Sequence, residues 1–212
     1  MCIRDSRFDS AGPHYPGAVT SNDGTGTRGP YAKGVQRRRE ILDRTLDVVA
    51  TRGIDGTSLR AIGEAIGVSH AALRHYFDSR EALLVEVLRE RDAESNARLA
   101  STPGVIARMA AAADHNVGTP GLVTVYTTLL GTSVEPGNET ARAFFTERFE
   151  TVRADLAGQI RDQLAASGRH SDADLEQVAS LVIAAFDGLQ AQWLLDRSID
   201  IAGTLRLLER VL

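Results

Sequence analysis

The amino-acid sequence predicts an all-α protein, and three observations lead there. Apolar residues recur three and four positions apart over long segments, the spacing that lines one face of a helix. The gaps between those segments hold helix breakers: Gly118-Thr119-Pro120-Gly121, Glu135-Pro136-Gly137-Asn138, Ser167-Gly168 and the stretch from Ser198 to Asp200. β-branched residues are scattered inside helical patterns, and no segment alternates as a strand does. The breaks divide the chain into a tail (1–30), a small helical module (31–80) and a larger helical body (81–212).

Residues 1–30 are rich in Gly, Ser, Pro, Asp and Thr without apolar periodicity, which predicts disorder. Within them Gly24-Thr25-Gly26-Thr27-Arg28-Gly29 has the spacing of a dinucleotide fingerprint. It lacks a preceding strand and runs into Pro30, so it is not read as a nucleotide site. Ile41, Leu42, Thr45, Leu46, Val48 and Val49 then predict a first helix from Val35 to Thr51, stopped by Gly53. A second, short helix runs from Thr57 to Ile66 and ends at Gly67, and a third begins behind Ser69. Ser79 caps a fourth, with Glu81 in its first turn, which runs to about Leu99 before Pro103. Five more follow, from Val105 to Asn116, Leu122 to Val134, Glu139 to Ala166, Asp172 to Arg197 and Ile201 to Leu212.

The third helix has two faces with different jobs. At helical spacing Ala72, Leu73, Tyr76 and Phe77 share one side and pack, while His70, Ala71, Arg74 and His75 share the other, which is short, polar and partly basic. Joined to the second helix through Gly67-Val68-Ser69, it makes a helix-turn-helix whose second member fits the DNA major groove. Ser69 caps at that face, and Thr57, Arg60, Tyr76 and Arg80 flank it as expected phosphate anchors. Lys33, Arg37, Arg38 and Arg39 lead the first helix, either along a phosphate backbone or as a solvated basic face.

The net charge of −4 argues against nucleic acid only if it is uniform. Residues 28–80 hold ten Lys/Arg against six Asp/Glu, whereas residues 81–212 hold twelve against nineteen. A basic head on an acidic body suits a protein that meets phosphate at one end, because the counterion term depends on the local face. Catalysis needs a coherent set of groups, and the sequence shows no His-Glu-x-x-His, Gly-x-Ser-x-Gly or P-loop. The single Cys2 excludes an internal disulfide and every multi-cysteine metal site, and neither metal nor cofactor is expected. No run approaches the roughly 18 apolar residues of a membrane span, so a cytoplasmic protein is expected. The rival reading is an all-helical small-molecule-binding or enzyme-like domain whose N-terminal motif is an ordinary helical hairpin.

Over roughly residues 35–90 the chain resembles the tetracycline-repressor (TetR) family of bacterial transcription regulators. Thr57-Ser58-Leu59-Arg60-Ala61-Ile62 and the run from Gly67-Val68-Ser69 to Leu84 carry the likeness. It departs where the family's recognition helix reads Leu-Tyr-x-His-Phe: Arg74 stands for the tyrosine and Tyr76 for the histidine. Both positions in the family tend to touch phosphates, which arginine and tyrosine can also do. The resemblance implies a homodimer on double-stranded, palindromic operator DNA, in most cases a repressor released by a small-molecule effector.

Two features of the body bear on those implications. In the penultimate helix Leu175, Val178, Val182, Phe186, Leu189 and Trp193 form one stripe, while Ala184, Gly188 and Ala191 line a neighbouring face with little side chain. A partner helix or full burial in a larger core would explain that second face. In the family the last two long helices pair with their symmetry mates, which implies a dimer interface through Ala184, Gly188, Ala191, Leu205 and Leu208. Effector pockets in the family lie between the middle helices. This implies candidates in Met109, Asn116, Tyr126, Thr128, Phe145, Phe186, Gln190 and Trp193, against the plain alternative of core packing. With few charges predicted to face inward, the expected effector is largely apolar.

Overall fold

Side-chain caps mark where five of the helices begin. Ser58, Ser69 and Ser79 accept the N–H of Ala61, Ala72 and Ala82 at 3.1, 3.1 and 2.9 Å. Asp174 accepts from Glu176 and Gln177, and Asp200 from Gly203 at 2.7 Å. The computed structural model describes residues 30–54, 57–168 and 173–210; the tail, with its glycine-rich stretch, lies outside the described residues. Helices α1 (Pro30–Arg52), α2 (Leu59–Ile66), α3 (His70–Tyr76) and α4 (Arg80–Leu99) come first. They are followed by α5 (Val105–Gly118), α6 (Leu122–Ser133), α7 (Glu139–Ala166), α8 (Leu175–Leu195) and α9 (Ile201–Arg206). No strand occurs among the described residues. The expected terminal helix to Leu212 is shorter: α9 stops at Arg206 and tightens into a 3₁₀ turn, Leu207–Arg210.

Two apolar clusters hold these helices. The first joins Ile41, Leu42 and Leu46 of α1, Ile62 of α2 and Leu73 of α3 to Leu83, Leu84 and Val87 of α4. It continues into Val125 and Leu129 of α6 and Phe144 and Phe145 of α7. The second gathers Val105 and Ile106 of α5, Leu156 and Ile160 of α7, Val182 and Phe186 of α8, and Ile201 and Leu205 of α9. The first cluster thus runs through the expected module boundary at residue 80 without a break, so α1 is joined to α6 and α7 by packed side chains.

Polar struts reinforce that junction. Glu81, in the first turn of α4, accepts the backbone N–H of Ala141 at 2.7 Å and caps α7, whose own Asn138 makes no capping bond. At the start of α6, Gly121 sits at φ +77°, and a Cβ there would lie 2.5 Å from the Leu46 carbonyl oxygen and 3.0 Å from the Ala50 nitrogen of α1. Only glycine permits both the left-handed backbone and that approach.

Helix α8 is long and apolar enough, by length and composition, to cross a membrane, which the sequence reading did not anticipate. Its inner side packs Ala179, Val182, Ile183 and Phe186 into the core, and the buried Gln190 and the ionisable Asp187 sit mid-helix, where hydrocarbon would penalise them.

Candidate nucleic-acid interface

Position 63 sets the geometry of the motif. A Cβ on Gly63 would lie 2.6 Å from the Val68 carbonyl oxygen and 3.1 Å from Leu73 Cδ1, so α2 and the turn meet at the closest approach the backbone allows. Gly67 follows at φ +71°, closing α2, and the Val68 N–H donates to the Gly63 carbonyl at 2.8 Å. Arg44 of α1 donates to the last carbonyl of α2, at Ile66, across 2.7 Å. With Ile62 and Leu73 fully buried and Phe77 nearly so, α3 has one available orientation.

That orientation exposes the expected face. Ser69, His70, Ala71, Arg74 and His75 are all exposed, while Ala72 and Tyr76 are half-buried. Tyr76 lies between His75, edge-on at 5.4 Å, and Phe77, tilted at 6.3 Å, which leaves part of its ring at the rim of the face. Arg74 spends one nitrogen on the Asp78 carbonyl at 2.9 Å and keeps the rest of its five-donor fork for other partners.

The flanking anchors divide. Arg60 is exposed and paired with Glu64 at 2.9 Å, a contact that raises its pKa through the Glu64 hydrogen bond. Thr57 departs from expectation: it is 0% exposed, and its hydroxyl donates to the Ile54 carbonyl, so its side chain does not reach phosphate. Arg80 likewise turns inward, donating to the Ile54 carbonyl and to Thr57 Oγ1. These two residues staple the α1–α2 connection to α4. The arginines of α1 also serve packing: Arg37 pairs with Glu40, Arg38 with Glu86 while lying 5.3 Å over the Phe77 ring, and Arg39 with Glu90 and Glu94. Lys33 is exposed and has no ion pair among the described residues.

The body holds two cavities of note, and only Trp193 of the eight expected pocket residues lines either. One, of about 280 Å³, lies among Val105, Ile160, Gln163 and Glu209. The other, of about 330 Å³, lies between Val49, Ala50 and Gly53 of α1, the corner from Val117 to Thr124, and Trp193 and Arg197. The remaining candidates are parted between the two clusters. Tyr126 meets Phe145 edge-on at 5.4 Å in the first; Phe186 belongs to the second, against which Met109 packs; Thr128 is half-buried. Asn116 Nδ2 donates to Gln190 Oε1 at 3.0 Å, joining α5 to α8.

Few charges turn inward, as expected: no charged residue is fully buried among the described residues, and the half-buried Asp92, Arg148 and Asp187 come together. Arg148 of α7 forks onto Asp92 of α4 at 2.7 and 3.1 Å and donates to the Tyr126 hydroxyl at 3.3 Å. Burial alone would lower the Arg148 pKa, but the Asp92 bonds outweigh it and the value stands raised. Burial raises the Tyr126 phenol well above its usual range against the pull of Arg148. Asp187 of α8 is pushed up to about 6 by burial, opposed by Tyr126 and Arg148. Asp187 carried a signal that the sequence reading passed over: it is the only charged residue between Glu176 and Asp196 in an otherwise apolar helix. The pairing of Arg148 with Asp92 gave none, because 56 residues separate them and only the fold joins them.

The expected dimer residues also divide. Ala184 and Gly188 are exposed, with nothing within 4 Å of a Cβ at Gly188, and Ala191 is half-buried. Leu205 is 0% exposed inside the single chain and Leu208 packs on the second cluster, because α9 folds back onto α5. The terminal segment therefore belongs to this chain's own core, and the two long helices that remain are α7 and α8.

Residues 41–87 match the family described as bacterial regulatory proteins, tetR family. The chain is similar to the HTH-type transcriptional repressor KstR2 of Rhodococcus jostii (strain RHA1), 42% identical over 53 residues, which is 25% of this chain and 26% of that repressor. The match thus spans about a quarter of the relative's length. Two solved structures share the fold: a transcriptional regulator from Saccharomonospora viridis in complex with choline, and FadR from Bacillus subtilis in complex with stearoyl-CoA. The first is 23% identical with a TM-score of 0.64, covering 83% of this chain and 95% of that one. The second is 16% identical with a TM-score of 0.65, covering 79% and 93%.

Proposed function

From the premise that residues 41–87 make this chain a member of the tetR family of bacterial regulatory proteins, we propose that it is a cytoplasmic, ligand-released transcriptional repressor. It binds double-stranded operator DNA as a homodimer and catalyses no reaction. The observation that carries the reading is the face of α3: His70, Ala71, Arg74 and His75 are exposed together on a helix whose opposite side is locked by Leu73 and Phe77. A helix presented in this way enters the major groove, where Arg74 and the histidines meet bases or phosphates and Arg60 and Tyr76 flank them. Two copies across a two-fold axis place a second α3 one helical turn of DNA away, about 34–36 Å.

Release follows as a population shift: a ligand that binds better to a dimer with mismatched α3 spacing draws the protein off DNA. The junction favours this coupling, since α6 abuts the α1 backbone at Gly121 and α4 caps α7 through Glu81. Choline and stearoyl-CoA, bound by two proteins of the same fold, have opposite chemistry, so the effector is decided by this chain's own residues.

The test is selection of genomic fragments by the purified protein, followed by binding curves on the selected site. His70→Ala with Arg74→Ala should weaken specific binding by about 2–6 kcal/mol, one to three for each base contact, with the melting temperature unchanged. A double variant that binds the selected site as tightly and selectively as wild type would move recognition away from α3.

A further inference from the structure

Of the buried side-chain atoms in the body that lack a hydrogen-bond partner, two lie on one helix: Asp187 Oδ1 and Gln190 Nε2 of α8, the others being the Nε atoms of Arg108 and Arg153. The residues are three apart on α8 and so share a face. A carboxylate oxygen accepts and an amide nitrogen donates, so the pair is complete only with a molecule that brings a donor to one and an acceptor to the other. Leaving such atoms unmet is costly, and Gln190 is 1% exposed.

Charge sharpens the choice of molecule. Two carboxylates, Asp92 of α4 and Asp187 of α8, act around one guanidinium, Arg148 of α7, and Asp92 already occupies it in a fork. Tyr126 of α6, hydrogen-bonded to Asp187 and to Arg148, and Asn116 of α5, hydrogen-bonded to Gln190, add no charge. Asp187 therefore has no cation within ion-pair distance among the described residues, and with a pKa of about 6 it is ionised at neutral pH. A water molecule satisfies the hydrogen bonds but leaves that charge uncompensated; an anion meets repulsion; an ammonium group compensates the charge and donates to Asp187 Oδ1, leaving the acceptor for Gln190 Nε2 to a neighbouring group of the same molecule. Trp193, one turn beyond Gln190 on α8, and Val117, next to Asn116, line the cleft of about 330 Å³ that opens against α1.

We infer that this polar core is the recognition point for the ammonium end of a small organic amine, whose apolar remainder occupies the cleft beside Trp193 and whose neighbouring acceptor group, where it has one, meets Gln190. The inference rests on the regulator reading for its consequence: a ligand seated there bears on Val49 and Ala50 and displaces α1, the helix that supports the motif.

The experiment uses the full chain and a matched panel titrated by calorimetry: 2-phenylethylamine and hexylamine, each with its alcohol and its carboxylate counterpart. An amine should bind at least about tenfold more tightly than its alcohol, and the carboxylate more weakly still. Asp187→Asn should remove that preference, and Gln190→Leu should leave it in place, because these simple amines bring no acceptor to Gln190 Nε2. If Asp187→Asn folds poorly, the wild-type pH profile decides, because amine affinity must fall below about pH 6 as the carboxyl protonates. A flat profile, equal binding of amine and alcohol, a preference for carboxylates, or no amine binding to the folded protein overturns the inference and leaves ordered water as the partner of the two atoms. Selective DNA binding that survives any of these results keeps the regulator reading; amine binding without DNA binding sinks that reading alone.

Discussion

Asp187 shows how one side chain can set a pH dependence for the whole chain. Its carboxyl is raised from an ordinary 3.8 to about 6, so between those values the folded state holds a proton that the unfolded state has released. Stability therefore falls as pH rises through that window, by at most about 1.4 kcal/mol for each pH unit. Asn keeps the shape and removes the titration. Unfolding curves at pH 4 and pH 7 should show Asp187→Asn gaining on wild type by several degrees at the higher pH; parallel curves would mean that Asp187 is solvated in solution. At the same scale, Thr57 and Arg80 show why an anchor read from spacing can turn inward. Both stand at the edges of the exposed face in sequence, but the Ile54 carbonyl in the α1–α2 connection, which also accepts the Thr57 backbone N–H, takes both side chains.

Between elements, the decisive contact is the one that glycine alone permits. Replacing Gly121 with alanine adds a methyl group 2.5 Å from the Leu46 carbonyl and forces a non-glycine residue to φ +77°. The expected cost is about 2–4 kcal/mol, read as a fall in melting temperature of about 4–16 °C. Operator affinity should fall with it, because α1 must back away from α6. A variant with unchanged melting and unchanged DNA affinity would show that this approach is looser in solution. What the sequence made legible follows the same division between local and distant. The caps at Ser69 and Ser79, the turn at Gly67 and the two faces of α3 are decided within four or five residues, and each stands where periodicity and turn chemistry predict it. Asn116, Tyr126 and Gln190 were legible one by one as polar groups of the body, but their assembly with Asp92, Arg148 and Asp187 was not, since the six come from five helices and meet only after folding. The short α9 was missed for a related reason: Leu205 and Leu208 have the spacing of a partner-facing stripe, and the periodicity does not say whether the partner is another chain or α5 of the same one.

At the scale of the whole molecule, α8 leaves one face uncovered. Gln177, Leu181, Ala184, Gly188, Gln192 and Leu195 are exposed along it, with Leu181 at 72% and Leu195 at 92%, and none carries a charge. Beside it on α7, Gly158 also has nothing within 4 Å of a Cβ. Leucines this exposed beside small residues fit a helix pair that approaches its symmetry mate closely, as the dimer reading requires. Gly188→Arg separates assembly from folding. The single chain has open space at that position, and arginine is a better helix former than glycine by about 0.6–1 kcal/mol, so the monomer should fold with full helicity and no loss of intrinsic stability. Across the two-fold axis the same side chain meets its own copy in a desolvated seam, two like charges without partners, which the interface cannot hold. Light scattering should therefore report a folded monomer where wild type is a dimer. Binding to a palindromic operator should drop with it, because each half-site alone keeps only its own contacts. A soluble, intact Gly188→Arg dimer would place the interface on another surface and leave Leu181 and Leu195 facing water.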